Sequence, residues 1–311
     1  MNQHDIYLYG MTTCTTALLL RGAFPEPDTY SEIKERHLIP GGETGGAATI
    51  LASLGRKVKM DGNYTGYNTD GPIRAFYQNI GVDVSRLRCE PGYGGEEEII
   101  IIDKNTRTTF GQFAAYYEDY YKDGVKRWNT PAEADVKGVK AAGIDPYFGG
   151  ESVMAARYCR ENGVPFVTID ERHDKEICAL ASIIAVSSDW IRDFMPEYHS
   201  DGGKIDLIKK YMENTAALVI FTGGGGTSIY GRNGKIGKFH AHKVDTVSTL
   251  GAGDTFKAAC IYGLSMGWPD DEILEFSNAC AAVACTKFPL PHNPPKLEEV
   301  EHMRRNDLPE P

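Results

Sequence analysis

Strand-like and helix-like segments alternate along most of this 311-residue chain, and several of the helical ones stop at a glycine. HDIYLYG (4–10) reads as a buried strand and TGGAATILASLG (44–55) as a helix closed by Gly55. KVKMDGNY (57–64) reads as a strand, and GPIRAFYQNIG (71–81) as a second glycine-closed helix. Strands separated by helices form crossover units, which build a parallel sheet covered on both faces. The rhythm resumes after GIDPYF, with a helix at 151–163, strands at 165–170 and 181–187, and a helix at 204–215. ALVIFTGGGG (217–226) is a strand running into glycines, and 227–244 reads as a hairpin turning at Arg232-Asn233-Gly234. Helices are expected at about 254–267 and 270–286, with a short one in the tail. The expected fold class is α/β, a doubly wound, mostly parallel sheet flanked by helices, in one domain over 1–311.

One segment breaks the alternation. EEEIIIIDKNTRTTFGQF (96–113) carries four isoleucines, a polar DKNTR turn and a second β-prone run, the pattern of a hairpin. Residues 11–40 lack helical periodicity and could supply further strands. The two stretches predict a small β lid drawn from about 11–40 and 95–115. Its exposed edge invites pairing with another copy, so a homodimer through the lid is expected.

Composition narrows the function classes. Lys and Arg total 33 against 43 Asp and Glu, a net charge of -10, so no basic face for nucleic acid is expected. No apolar run reaches the ~18 residues of a membrane span. The seven cysteines form no C-x-x-C pair, and MNQHDIYLYG turns strand-like at once. A cytoplasmic location without a leader is therefore expected. His240 and His242 alternate but lack further ligands at metal spacing, and the tyrosines of AAYYEDYYKDG (114–124) read as a packed helix.

Three glycine clusters remain: PGGETGG (40–46), TGGGG (222–226) and LGAGD (250–254). Glycine near an element end commonly serves as a cap or a turn. LGAGD, however, precedes a helical run in which Phe256, Ala259, Cys260 and Leu264 share a face. Its glycines thus sit at a helix N-terminus, where unpartnered N–H groups and the dipole favour an anion. A P-loop needs Lys-Ser/Thr after such glycines, and a dinucleotide fingerprint needs a third glycine; Asp254-Thr255-Phe256 supplies neither. Nor does Gly10-Met11-Thr12-Thr13 carry the fingerprint of a nicotinamide dehydrogenase. A carboxylate here suits a base that takes a proton from an acceptor hydroxyl. The N–H groups of Gly251, Ala252, Gly253 and Asp254 would then form an anion hole. The other reading of Asp254 is a plain N-cap.

TLGAGDTF with its small-residue helix resembles the C-terminal signature of the ribokinase-like (PfkB) carbohydrate kinases, in a ketohexokinase-like flavour. PGGETGGAATILASLG is similar to that family's first signature, and FTGGGGTSIY, VTIDE and SNACAAVACT follow in the family's order. The resemblance implies an ATP- and Mg2+-dependent kinase of a sugar-like alcohol, with Asp254 as base. It places Thr222, Gly224, Gly226, Ser187 and Asn278 near the nucleotide. Gly41, Gly42, Gly46, Thr15 and Arg107 fall near the small-molecule acceptor. No protein metal ligand is implied, magnesium being held through phosphates and water.

The departures fall at the acceptor end. The family's aspartate after the first strand falls near Cys14–Thr16, where no acid stands, and its acceptor-binding asparagine falls at Gly46. Ser187 and Trp190 occupy the places of an Asn-x-x-Glu motif. Thr12, Thr13, Thr15, Thr16, Glu43 and Thr44 are the replacement candidates for holding an acceptor. A protein that binds nucleotide without catalysis is the alternative that these departures raise.

Overall fold

The computed structural model describes residues 3–103, 106–113, 118, 120–122 and 124–306. The first strands are β1 (Ile6–Gly10), β2 (Thr13–Leu20), β3 (Ile33–Gly41) and β4 (Val58–Gly62). A minor pair, β5 (Thr65–Gly66) and β6 (Cys89–Glu90), precedes β7 (Glu97–Ile102) and β8 (Arg107–Gly111). The rest are β9 (Ala141–Ile144), β10 (Phe166–Ile169), β11 (Ile183–Ser187), β12 (Leu218–Thr222), β13 (Thr227–Arg232) and β14 (Lys235–His240). Eight of them form the central sheet, ordered β14-β13-β12-β11-β10-β9-β1-β4. All its pairings are parallel except those of β13 with β12 and β14.

The strands read as continuous apolar runs because helices cover both faces. β1 shows the division: Ile6 and Leu8 join one core layer, while Tyr7 and Tyr9 join the other. This is the two-residue alternation of a pleated strand. Helices Glu43–Ser53, Ala252–Met266 and Asp270–Cys285 supply the first layer, and Gly150–Glu161 and Asp201–Asn214 the second. At the sheet edge Asn233 (φ 52°) and Gly234 (φ 77°) make the two-residue turn of the β13–β14 hairpin. β14 ends at His240, so His242 lies beyond the strand.

The four-stranded sheet has the order β3-β2-β7-β8. It is built from the two stretches that break the alternation. Burial alternates along β7, so Glu98, Ile100 and Ile102 face inward while Ile99 is exposed. The hairpin register runs from Glu98 opposite Gly111 to Ile102 opposite Arg107; the turn tip at 104–105 lies outside the described residues. Most of the tyrosine-rich helix expected at 114–124 also lies outside them, although Tyr120 packs on Trp128 with ring centroids 4.7 Å apart. A helix at Ser188–Phe194 was not signalled in the sequence. It follows β11 directly with no glycine or proline between, and Ser187 caps it by accepting the Trp190 N–H.

Strand order reverses between β1 and β9, and such a reversal opens a crevice at the carboxyl ends of the strands. Gly10 ends β1 there, in register with Gly62 of β4. A Cβ on Gly10 would lie 1.9 Å from Asp145 Oδ2 and 2.4 Å from Thr44 Oγ1. Gly10→Ala is therefore expected to cost about 1–3 kcal/mol by overpacking, read as a lower denaturation midpoint in urea.

Candidate active site

A cleft of about 420 Å³ opens where this crevice meets the four-stranded sheet. Thr15, Glu98 and Arg107 of the small sheet line it together with Gly46, Gly251 and Asp254.

Gly251 is the N-cap of helix Ala252–Met266 and takes a left-handed φ of 77°. A Cβ there would also lie 2.7 Å from Leu290 Cδ2, so glycine is needed twice over. The Ala252 N–H donates to Thr249 O at 3.3 Å, and the Thr255 N–H to Gly251 O at 2.9 Å. Among the described residues, the N–H groups of Gly251, Gly253 and Asp254 meet no backbone carbonyl. No side chain caps this helix, so Asp254 in its first turn does not serve as a plain N-cap. Its carboxylate lies against Gly46: a Cβ at that position would stand 2.9 Å from Asp254 Oδ2 and Cβ. Gly46 thus keeps clear the space that Asp254 occupies.

Burial pushes the Asp254 carboxyl up to about 6. Lys257 opposes that rise, Asp145 and Glu98 add to it, and Arg107 opposes it. A carboxylate tuned towards neutrality is a better proton acceptor at working pH than one near 4.

Beneath Asp254 lies a fully buried ion pair. Lys257 comes one turn further along the same helix, and its Nζ donates to Asp145 Oδ1. Asp145, just beyond β9, also accepts the Met11 N–H at 2.9 Å and the Thr44 hydroxyl at 2.8 Å on Oδ2. One carboxylate thereby ties together the exits of β1 and β9, the start of helix Glu43–Ser53 and the glycine-capped helix. Nearby, the Tyr147 hydroxyl donates to Glu43 Oε1 at 2.9 Å. Burial, with Asp145 and Asp254 close by, holds the Glu43 carboxyl well above the usual carboxylate range.

At the small sheet, the Thr13 hydroxyl donates to Glu98 Oε1 at 2.7 Å, and the Thr15 hydroxyl donates to the same oxygen. Gly41 leaves room for this cluster, since its Cβ would lie within 2.6 Å of both hydroxyls and of Glu98 Oε1. Arg107 Nη1 donates to Thr249 Oγ1 at 3.2 Å, just ahead of the GAGD turn.

On the opposite flank, Thr222 and Ser187 line the cleft. Asp170, at the end of β10, holds a left-handed φ of 37°, a strained setting of the kind that gathers at functional sites. Its carboxylate accepts the Ser187 N–H at 2.7 Å and the Ser187 hydroxyl at 3.2 Å, while burial raises its pKa to about 6.

Gly41, Gly42, Gly46, Thr15, Arg107, Gly251, Gly253, Asp254, Ser187 and Thr222 are thus brought to one cleft. Ala252 stands between two of its lining residues. Gly224 and Gly226 lie in the turn after β12, closed by the Gly226 N–H to Gly223 O bond at 3.0 Å; neither lines this cleft. Asn278 is outside it as well, donating to His240 O at 2.9 Å. Sequence reasoning missed Asp145, Lys257 and Glu98. Lys257 had a readable signal, a charge three residues beyond Asp254 inside an otherwise apolar run. Glu98 had none, because EEE before four isoleucines looks like a solvated strand end.

Lys257→Met leaves Asp145 charged, buried and without its cation. It is expected to lower folding stability by about 3–5 kcal/mol in urea denaturation, and adding Asp145→Asn should recover much of that loss.

Among the described residues, no helix is long and apolar enough to cross a membrane. The family model described as pfkB family carbohydrate kinase matches residues 4–295. A 5-dehydro-2-deoxygluconokinase of Clostridium perfringens is 24% identical over 301 residues, covering 89% of this chain and 87% of that protein. One of Geobacillus thermodenitrificans is 27% identical over 284 residues, covering 84% and 82%. Among solved structures, a putative ribokinase from Agrobacterium tumefaciens superposes with a TM-score of 0.82 at 20% identity, covering 97% of each chain. The Arabidopsis thaliana ribokinase complexed with ribose and ATP gives 0.76 at 16% identity, covering 98% and 99%. With its doubly wound sheet, its four-stranded side sheet and a family match spanning nearly its whole length, the chain belongs to the pfkB family of carbohydrate kinases.

Proposed function

We propose that this protein transfers the γ-phosphoryl group of ATP to a hydroxyl of a sugar or sugar-like alcohol, with Asp254 as the base. One observation carries this reading. A carboxylate raised towards neutrality and three backbone N–H groups without carbonyl partners stand at one helix N-terminus, in a cleft that Gly46 keeps open.

Asp254 takes the proton of the acceptor hydroxyl as it attacks. The N–H groups of Gly251, Gly253 and Asp254, with the dipole of their helix, stabilise the charge that builds on the transferring group. Arg107, held beside Thr249, adds a cation on the same side. The nucleotide lies towards Ser187 and Thr222, with Gly224, Gly226 and Asn278 further along that flank. The neighbouring ribokinase complexes contain ATP in one case and ADP in another, which supports this use of nucleotide.

Magnesium fits this reading as an ion carried by the phosphates. Among the described residues, no group of three His, Cys, Asp or Glu side chains is disposed to hold a metal. Asp170 and Asp189 are the carboxylates on the nucleotide flank of the cleft that can face its water shell. Bound there, it supplies charge neutralisation between the phosphates.

Gly46 and the missing acid near Cys14–Thr16 favour a second reading, a nucleotide-binding protein without catalysis. Glu98 weighs against it, because it brings a carboxylate to that end of the cleft from another strand. The outer face of the small sheet exposes Ile33, Leu38, Ile99 and Phe110, and a homodimer through this sheet is part of the proposal.

Asp254→Asn is expected to lower kcat by about 10²–10⁴-fold or more while an ATP analogue still binds; turnover near the wild-type rate would refute the role of the base. In the wild type, kcat/KM should fall as pH drops through about 6, where Asp254 gains its proton, instead of near 4. A second outcome follows from the same shift. Its folded pKa lies above the unfolded value of 3.8, so ionised Asp254 opposes folding at neutral pH. The Asn variant should accordingly melt above the wild type at pH 8, and the difference should shrink as pH falls through 6 towards 4.

A further inference from the structure

The acceptor end of the cleft has an unusual balance of charge. Glu98 is buried on the inward face of β7, lines the cleft, and has one oxygen, Oε1, bonded by both Thr13 and Thr15. Both hydroxyls lie within hydrogen-bond reach of Oε1 and 3.1 Å from each other, and the carboxylate they hold can accept further hydrogen bonds. Glu43 and Asp254 line the same cleft. Two cations line the cleft, and neither is paired with Glu98. Lys257 is held by Asp145 at the cleft floor. The backbone of Arg107 lies at the turn end of the β7–β8 hairpin: Glu98 is opposite Gly111, four residues along β8 from Arg107, a Cα separation of roughly 14 Å at the rise of an antiparallel strand. Its guanidinium instead meets Thr249, beside the N–H groups that await phosphate.

We propose that Glu98, fixed by Thr13 and Thr15, is the residue that selects the acceptor. It admits a sugar whose bound end brings hydrogen-bond donors and no negative charge, either hydroxyls or an ammonium group, and it rejects sugar acids and sugar phosphates. A carboxylate or phosphate at that end would face the buried Glu98, where like charges repel more strongly than in water. A hydroxyl or ammonium would instead form a charge-assisted hydrogen bond. This separates the chain from relatives whose names, 5-dehydro-2-deoxygluconokinase, denote a sugar-acid acceptor.

The inference rests on the phosphoryl-transfer reading, and one experiment separates the two. ADP formation is measured with the wild type, Mg2+ and ATP against neutral pentoses and hexoses, amino sugars, aldonic and keto-aldonic acids, and sugar phosphates. The expected result is turnover with neutral or amino sugars and at least ~10-fold lower kcat/KM for every anionic acceptor. Preference for amino over neutral sugars identifies the ammonium form of the ligand, and the reverse the hydroxyl form; either supports the proposal. Preference for an acid or a phosphate overturns it and leaves the kinase reading standing. Turnover with none overturns both.

Glu98→Gln keeps an oxygen for Thr13 and Thr15 and removes the charge. It is expected to raise KM for the preferred acceptor about 10-fold or more, and to narrow the gap to its acid analogue, with ATP-analogue binding unchanged. Removing a carboxylate that faces Asp254 should also move the acid limb of kcat/KM to lower pH. An unchanged acceptor preference and an unmoved limb, in a variant that melts like the wild type, would overturn the role of Glu98.

Discussion

The buried pair of Lys257 and Asp145 sets where helix Ala252–Met266 stands. Placing two charges in an apolar interior is costly unless each finds its partner and its remaining hydrogen bonds. Asp145 finds them in Lys257, the Met11 N–H and the Thr44 hydroxyl, which come from three separate parts of the chain. No one of these parts can shift without leaving a buried charge or donor unmatched. The pair therefore works as a registry device: it holds the N-terminus of helix Ala252–Met266 at a set distance from the sheet crevice, and Asp254 with it.

The space around that pair is kept open by glycines far in sequence from the carboxylates they accommodate. Gly10 makes room for Asp145, Gly41 for the Glu98 cluster and Gly46 for Asp254. Each stands where a single methyl group would strike a carboxylate or its partner. The cleft is thus defined by side chains that are missing as much as by those that are present. Burial is what chiefly moves Asp254 towards neutrality, with Asp145 and Glu98 adding to the shift and Lys257 limiting it.

Much of the fold was legible because each layer repeats a simple pattern. Apolar runs such as IYLYG and LVIF can only be strands buried on two faces, and glycine closed the helices at Gly55, Gly81 and Gly163. The small sheet was legible because four isoleucines and a polar turn do not fit a crossover unit. The site was legible only where its parts are consecutive, as in Gly251–Asp254. Asp145 and Glu98 act across more than eighty residues of sequence, through contacts made only once the sheets are assembled. The Ser188–Phe194 helix escaped notice because Ser187 is at once the last residue of a strand and a cap.

The β7–β8 hairpin carries Glu98 at one end and Arg107 at the other, on a two-stranded ribbon whose register is fixed by its backbone ladder. In the proposed reading, acceptor recognition and charge compensation at the phosphate share one ribbon. On that reading, an acceptor that seats badly against Glu98 would strain the same ribbon that carries Arg107 to Thr249. Discrimination against wrong acceptors would then register in turnover as well as in binding, because a change at one end of the ribbon is felt at the other.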